Sequence, residues 1–233
     1  MEKTVIYTAI FGGKDKLLEP EFKPAGCDFV CFSDTEFTSP TWKVVKTEMI
    51  GNDPVRNARR HKVLAHKLFP EYTYSVWVDG NIIVRGDVNE LIAEKLQHMN
   101  MAIYDHAYTT GDARDCVYDE AKALLKFSKG SKYKDDPELI KAQIAKYKAE
   151  GYPKHNGLIS SMELIRRHNE PDVVATMEDW WREIDAHSRR DQLSFNYVAW
   201  KHQLPLEVIH EDSRYNKYFL HTAHVQKGYF DSH

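Results

Sequence analysis

Asp79 and Asn81 stand two residues apart, with Gly80 between them, at the end of an apolar, aromatic run, Tyr74-Ser-Val-Trp-Val78. Asp, Gly and Asn are disfavoured inside strands and favoured in turns. A carboxylate and an amide carbonyl meeting at the tip of a rigid strand are the oxygen ligands a hard divalent cation takes, and glycine lets backbone approach a ligand closely. Asp-Gly between apolar runs is equally the signal of a plain hairpin turn. Just upstream, Arg56, Arg59 and Arg60 are spaced to share one face of a helix that also carries Lys62, His66 and Lys67. Such a run serves either as a solvated helix face or as fixed positive charge for a diphosphate. Its closeness to Asp79 favours a metal–diphosphate complex, in which the ion bridges phosphate oxygens.

Further candidates lie later in the chain. Asp191-Gln192 follows Arg189-Arg190 at a helix start. Asp191 reads as an N-cap with Ser194 taking part, or as a carboxylate that faces a sugar hydroxyl together with the Gln192 amide. His155-Asn156-Gly157 places polar groups at a turn before an apolar strand edge. His221 and His224 bracket the end of a strand-like segment, and Lys227-Gly228 follows. A neutral imidazole could complete a metal site begun by Asp79, His221 being favoured, while Lys227 could touch phosphate. Phe11-Gly12-Gly13 ends the first strand, where ligands bind in open α/β sheets. It is not a Walker loop, and no Gly-x-Gly-x-x-Gly occurs.

The elements that must hold these groups alternate. Strands are expected over Thr4–Phe11, Asp28–Phe32, Trp42–Thr47, Tyr72–Val78, Met99–Tyr104, Gly157–Ser161 and Leu206–Ile209. A helix is expected from Pro54 to Phe69, with Asp53 as N-cap, and further helices over Val88–Gln97, Pro171–Ala186 and Asp191–His202. Asp112–Lys126 and Pro137–Glu150 read as polar helices within a mobile insertion spanning 106–154. Alternating strand and helix with glycine-ended strands implies an α/β domain with a mostly parallel central sheet flanked by helices. One domain covering 1–233 is expected.

Composition narrows the partners. The chain has 233 residues, 42% of them hydrophobic, enough for one sizeable core. A net charge of −3 gives no general case for nucleic acid or a membrane surface. Cys27, Cys31 and Cys116 are odd in number and form no Cys-x-x-Cys pair, which argues for reduced thiols. The first apolar run is too short and polar for a secretory leader, and no membrane-spanning stretch occurs. A cytoplasmic location is expected.

Together, Tyr7-Thr-Ala-Ile-Phe-Gly-Gly-Lys-Asp-Lys16, Val30-Cys-Phe-Ser-Asp34, Arg56-x-x-Arg59-x-x-Lys62, Trp77-Val-Asp-Gly-Asn81 and Arg190-Asp-Gln192 resemble a GT-A glycosyltransferase. More narrowly, they resemble the glycosyltransferase-like domain found in plant mucilage-related proteins and bacterial polysaccharide gene products. More distant retaining galactosyl- and glucosyltransferases place similar residues where Asp79, Asn156, Gly157, Asp191, Gln192, His221 and Lys227 stand. The resemblance implies a single Rossmann-like GT-A domain that moves a sugar from a nucleoside diphosphate sugar to a glycan or glycoconjugate, in polysaccharide biosynthesis. It implies Mn²⁺ or Mg²⁺ on Asp79, Asn81 and His221. Phe11, Gly12, Gly13, Asp34, Arg56, Arg59, Lys62 and Lys227 would hold the donor. His155, Asn156 and Gly157 would face the acceptor, and Asp191 and Gln192 the reacting sugar. Asn81 departs from the family's second acidic residue. An amide carries no formal charge, so ion binding is expected to be weaker and to draw on the nucleotide's oxygens. Two rival readings are a metal-dependent hydrolase and a non-catalytic nucleotide-sugar or glycan-binding module.

Overall fold

The computed structural model describes residues 2–126 and 135–222. Lys227, His224 and the 127–134 connection lie outside the described residues.

Seven strands form the central sheet: β1 (Thr4–Ile10), β2 (Cys27–Ser33), β3 (Lys43–Lys46), β4 (Tyr74–Val78), β6 (Met101–Asp105), β7 (Ile159–Arg166) and β8 (Glu207–Ile209). Their order is β3-β2-β1-β4-β7-β6-β8. Only β7 runs against the others, pairing antiparallel with β4 and β6. The α/β architecture with a mostly parallel, helix-flanked sheet expected from sequence is therefore present. β1 and β4 are buried at every position, because both sheet faces are covered and no polar face is needed. Two apolar clusters fill the faces, one around Tyr7, Trp77, Trp180 and Phe195, the other around Ile6, Val76, Val78 and Phe219. A small antiparallel pair, β5 (Ile82–Val84) and β9 (Phe219–His221), lies beyond Asp79.

Helix α1 (Pro54–Val63) begins as its sequence dictates. Asp53 caps it, accepting from the Val55 and Arg56 amides, and Pro54 takes the first helical position. It ends earlier than expected, at Leu64, and a short turn α2 (Ala65–Leu68) follows. The last carbonyls of a helix need partners. The Lys62 carbonyl receives the Tyr7 hydroxyl at 2.6 Å and the fully buried Arg166 at 2.9 Å. These bonds from β1 and β7 pin the backbone that carries Lys62.

The remaining helices are α3 (Val88–Lys95), α4 (Val117–Lys126), α5 (Pro137–Ala149), α6 (Pro171–Ala186) and α7 (Phe195–His202). α4 and α5, expected as a polar insertion, bury Val117, Tyr118, Leu124, Ile140 and Tyr147 in the main core. β7 is the larger departure. Gly157–Ser161 was expected as a strand edge, yet the strand runs to Arg166 in the middle of the sheet. Ser160, Ser161, Glu163 and Arg166 interrupt its apolar pattern, and all are buried. Among the described residues, no helix is long and apolar enough to cross a membrane.

Candidate active site

Parallel pairing of β1 with β2 and β4 brings the carboxyl ends of three strands to one edge. Phe11 and Gly12 follow β1, Asp34 follows β2 and Asp79 follows β4. α1 returns along this edge, so the residues meet around a cleft of about 300 Å³ lined by Phe11, Lys14, Asp15, Arg59, Trp77, Asp79, Asn81 and Arg190. A larger cleft, about 670 Å³, is lined by Cys27, Asp28, Phe32, Lys43 and Tyr72. It contains none of the Asp79, Arg59 or Asp191 charges, so the smaller cleft is where the chemistry gathers.

Asp79 is fixed by its neighbours. Trp77, on the same face of β4, donates from Nε1 to Asp79 Oδ1 at 2.7 Å. Lys62 Nζ lies 3.3 Å and Arg59 Nη1 3.4 Å from the same oxygen. Beneath them is Asp191, only 1% exposed. Its Oδ2 stands 2.6 Å from Lys62 Nζ and 3.3 Å from Arg59 Nε, and accepts from Ser161 Oγ at 3.1 Å. Two carboxylates thus share two cations in a closed square.

Burial alone would raise the Asp191 carboxyl, but Arg59 and then Lys62 outweigh it and hold the group far below the usual carboxylate range. Burial lowers the Lys62 ammonium, and Asp191 and Asp79 offset only part of that. For Arg59, burial is outweighed by Asp191 and then Asp79, so its cation is strengthened. Asp191 is therefore a locked anion. It does not cap α7, whose N-cap is Ser194, and the capping reading falls.

Asn81 is 3% exposed, and its Nδ2 donates to the Thr222 carbonyl at 3.0 Å and lies 2.9 Å from His221 Nε2. With both amide protons so used, Nε2 acts as acceptor. His221 therefore orients Asn81, and that nitrogen is already engaged. Among the described residues none bonds Asp79 Oδ2 or Asn81 Oδ1. Those two oxygens are the donors left for a hard cation, with Gly80 between them. A Cβ on Gly80 would come within 3.2 Å of Ile10 Cγ1 and 3.4 Å of Asp15 Cβ, so the turn packs tightly here. One carboxylate and one amide oxygen fit a Mg²⁺ or Mn²⁺ that takes its other ligands from phosphate and water.

Gly12 adopts φ +61° and donates its amide to Asp34 Oδ2 at 3.0 Å, so two donor-side candidates are joined. Arg56 is a correction. Spacing placed it on one face with Arg59, but its guanidinium reaches the other way, to the Ile184, Asp185 and His187 carbonyls (Asp185 at 3.1 Å and His187 at 2.7 Å), where it closes the end of α6. Gln192 is also committed, donating Nε2 to the Ile159 carbonyl at 2.7 Å and its backbone amide to Asp191 Oδ1 at 3.1 Å. It braces Asp191 against β7. His155, Asn156 and Gly157 lie outside the cleft lining, at the start of β7 on the same sheet edge; His155 is held at φ +53° and bonded to Asp115.

Arg190, read from the sequence as one of two arginines that could face phosphate or acceptor, reaches the cleft, while Lys14 and Glu163 went unmarked. Arg190 lines the cleft with Nε buried and without a hydrogen-bond partner among the described residues, as a group awaiting an anion would be. Lys14 lines it too. Glu163 on β7 is fully buried, and neither carboxyl oxygen has a partner among the described residues. Burial and then the nearby Asp79 charge push it well above the usual carboxylate range, which favours its protonated form. A charged pair of letters inside an apolar strand was the available signal.

Fold and cleft together define an α/β domain with an acidic strand tip braced by cations at the carboxyl ends of its strands. Residues 31–224 match the TOD1/MUCI70 glycosyltransferase-like domain, and the chain belongs to that family. Two relatives are from Arabidopsis thaliana. The probable hexosyltransferase MUCI70 is 28% identical over 67% of this chain and 27% of its own length. The alkaline ceramidase TOD1 is 24% identical over 85% of this chain and 49% of its own length. The chain thus spans between a quarter and a half of these relatives. Among solved structures, mouse xyloside xylosyltransferase 1 in its apo form aligns at 9% identity with a TM-score of 0.44, covering 89% of this chain and 84% of that one.

Proposed function

We propose that this domain transfers a sugar from a nucleoside diphosphate sugar to a carbohydrate or glycoconjugate acceptor, in polysaccharide biosynthesis. The observation that carries the reading is the Asp79–Lys62–Asp191–Arg59 square under a cleft that also presents Lys14 and Arg190. Within the square the two cations are balanced by two carboxylates, so Lys14 and Arg190 supply the positive charge left to meet a diphosphate. Asp79 Oδ2 and Asn81 Oδ1 would hold Mn²⁺ or Mg²⁺, which when bound neutralises the leaving diphosphate. Gly12, Gly13 and Asp34 would lie along the base and ribose. Asp191 acts as fixed negative charge near the developing oxocarbenium centre. As a locked anion it cannot readily take a proton, which favours the electrostatic role over that of general base.

The printed activity of TOD1 keeps a hydrolase in view. No histidine lines the cleft among the described residues, and Asp191 is held by salt bridges, so neither offers a ready general base, and a hydrolase would depend on the ion at Asp79 to activate water. Free thiols at Cys27, Cys31 and Cys116 support a reducing, cytoplasmic setting. The test is a panel of nucleotide sugars with Mn²⁺ and glycan acceptors, read by acceptor-dependent release of nucleoside diphosphate. Release that needs no acceptor would support the hydrolase, and binding without release would support the non-catalytic module.

A further inference from the structure

A second constellation lies apart from the cleft. Cys116 Sγ, a carboxylate oxygen of Asp119 and a ring nitrogen of His155 all lie within 4.8 Å of one another. Cys116 immediately precedes α4 and Asp119 is in its first turn, three residues on, so both face one way. His155 arrives from the loop before β7, and Cys116 pairs with Gly157 in an isolated bridge that sets the two segments side by side.

We infer that Cys116, Asp119 and His155 form a zinc site, distinct from the ion expected at Asp79, that ties the start of α4 to the loop carrying Asn156 and Gly157. Thiolate, imidazole and carboxylate together are a zinc donor set, whereas Mg²⁺ and Mn²⁺ take oxygen ligands. His155 already has the supporting bond such a ligand needs. Its Nδ1 donates to Asp115 Oδ1 at 2.8 Å, which leaves the Nε2 lone pair for the ion. Lys122 Nζ donates to Asp119 Oδ1 at 2.7 Å, and the carboxylate keeps lone pairs for the ion. Zinc displaces the Cys116 thiol proton to solvent, and a water completes four-coordination. The neighbouring cations Lys122 and Lys154 limit the affinity without supplying a competing ligand. The strain of His155 at φ +53°, unusual for a residue with a Cβ, is then offset by metal binding. Because β7 runs against β4, this loop sits at the same sheet edge as Asp79. Zinc would therefore fix the loop before β7 at that edge, outside the cleft lining.

The test titrates Co²⁺ into the whole reduced protein and follows its absorption. One equivalent should give a thiolate-to-cobalt charge-transfer band that Zn²⁺ abolishes. The band should persist in Asp79→Asn, vanish in Cys116→Ser, and need about 10- to 100-fold more Co²⁺ in Asp115→Asn. Cys116 is buried, so the half-exposed His155→Ala, which leaves the core untouched, serves as the second variant and should also lose the band. Burial pushes Cys27 up to about 11 and Cys31 up to about 12, so neither offers a thiolate readily. Absence of the band from the wild type, or its survival in Cys116→Ser or in His155→Ala, would overturn the inference. The readout is independent of whether the domain transfers sugar.

Discussion

Lys62 Nζ and Asp191 Oδ2 meet at 2.6 Å where the two side chains are 0% and 1% exposed. A pair shut away from water is costly to form and costlier to halve. Removing one partner of a buried ion pair typically costs about 3–5 kcal/mol. Asp191→Asn should therefore destabilise the domain by about 3 kcal/mol, measured by urea unfolding at pH 7. The same substitution should change the acid limb. A carboxyl held below its unfolded value contributes stability that is complete above about pH 4 and is lost as pH falls further. The wild type should lose stability faster than Asp191→Asn below about pH 4, and parallel acid limbs would contradict the locked anion.

Glu163 carries the opposite sign. Its carboxyl is raised by burial and by Asp79, so the folded chain keeps a proton that the unfolded chain releases above about pH 4.3. Folding stability should fall as pH rises through that range. Glu163→Gln, nearly the same shape and unable to ionise, should be more stable than the wild type at pH 7 in metal-free protein. The gain should grow as pH rises above about 4.3 in thermal unfolding; a gain that does not vary with pH would count against a raised Glu163 carboxyl.

Arg56 and Arg59 are neighbours in sequence and separate in duty. Arg56→Ala removes bonds to the last carbonyls of α6 and should cost about 1–2 kcal/mol of stability while leaving nucleoside diphosphate affinity within about twofold. Arg59→Ala, which leaves Asp79 and Asp191 short of one balancing cation beneath the cleft, should weaken that affinity by about 10- to 100-fold. Equal effects of the two on binding would return Arg56 to the cleft.

The turn after β1 was legible, and so was the cap of α1: Asp53, Pro54, Gly12 and the Asp79-Gly80-Asn81 tip all sit where local chemistry puts them. Local patterns carry such information because they depend on backbone geometry within a few residues. The course of β7 was not legible, since Ser161 and Arg166 are polar letters whose partners are supplied by distant elements, and Glu163 is buried with no partner among the described residues. Helical spacing placed Arg56 beside Arg59 but could not say that α6 would end within its reach. The role of Asp191 was legible only as two alternatives, because Lys62 and Arg59 come to it across more than a hundred residues.

Gly12→Ala tests the close approach of β1 to α1. At φ +61° an alanine is strained by about 1–2 kcal/mol, and its Cβ would stand 2.7 Å from Pro54 Cγ. A loss of at least that much stability is expected in chemical denaturation, with weaker binding of nucleoside diphosphate. A neutral outcome would mean that the turn relaxes freely.

Calorimetry of nucleoside diphosphates with and without Mn²⁺, wild type against Asp79→Ala, reaches the proposed donor site most directly. At least one diphosphate should bind the wild type with an affinity that Mn²⁺ raises, and Asp79→Ala should abolish that rise while remaining folded. Diphosphate binding that is indifferent to both the metal and the Asp79 carboxylate, or absent from the wild type across all bases, would contradict the account.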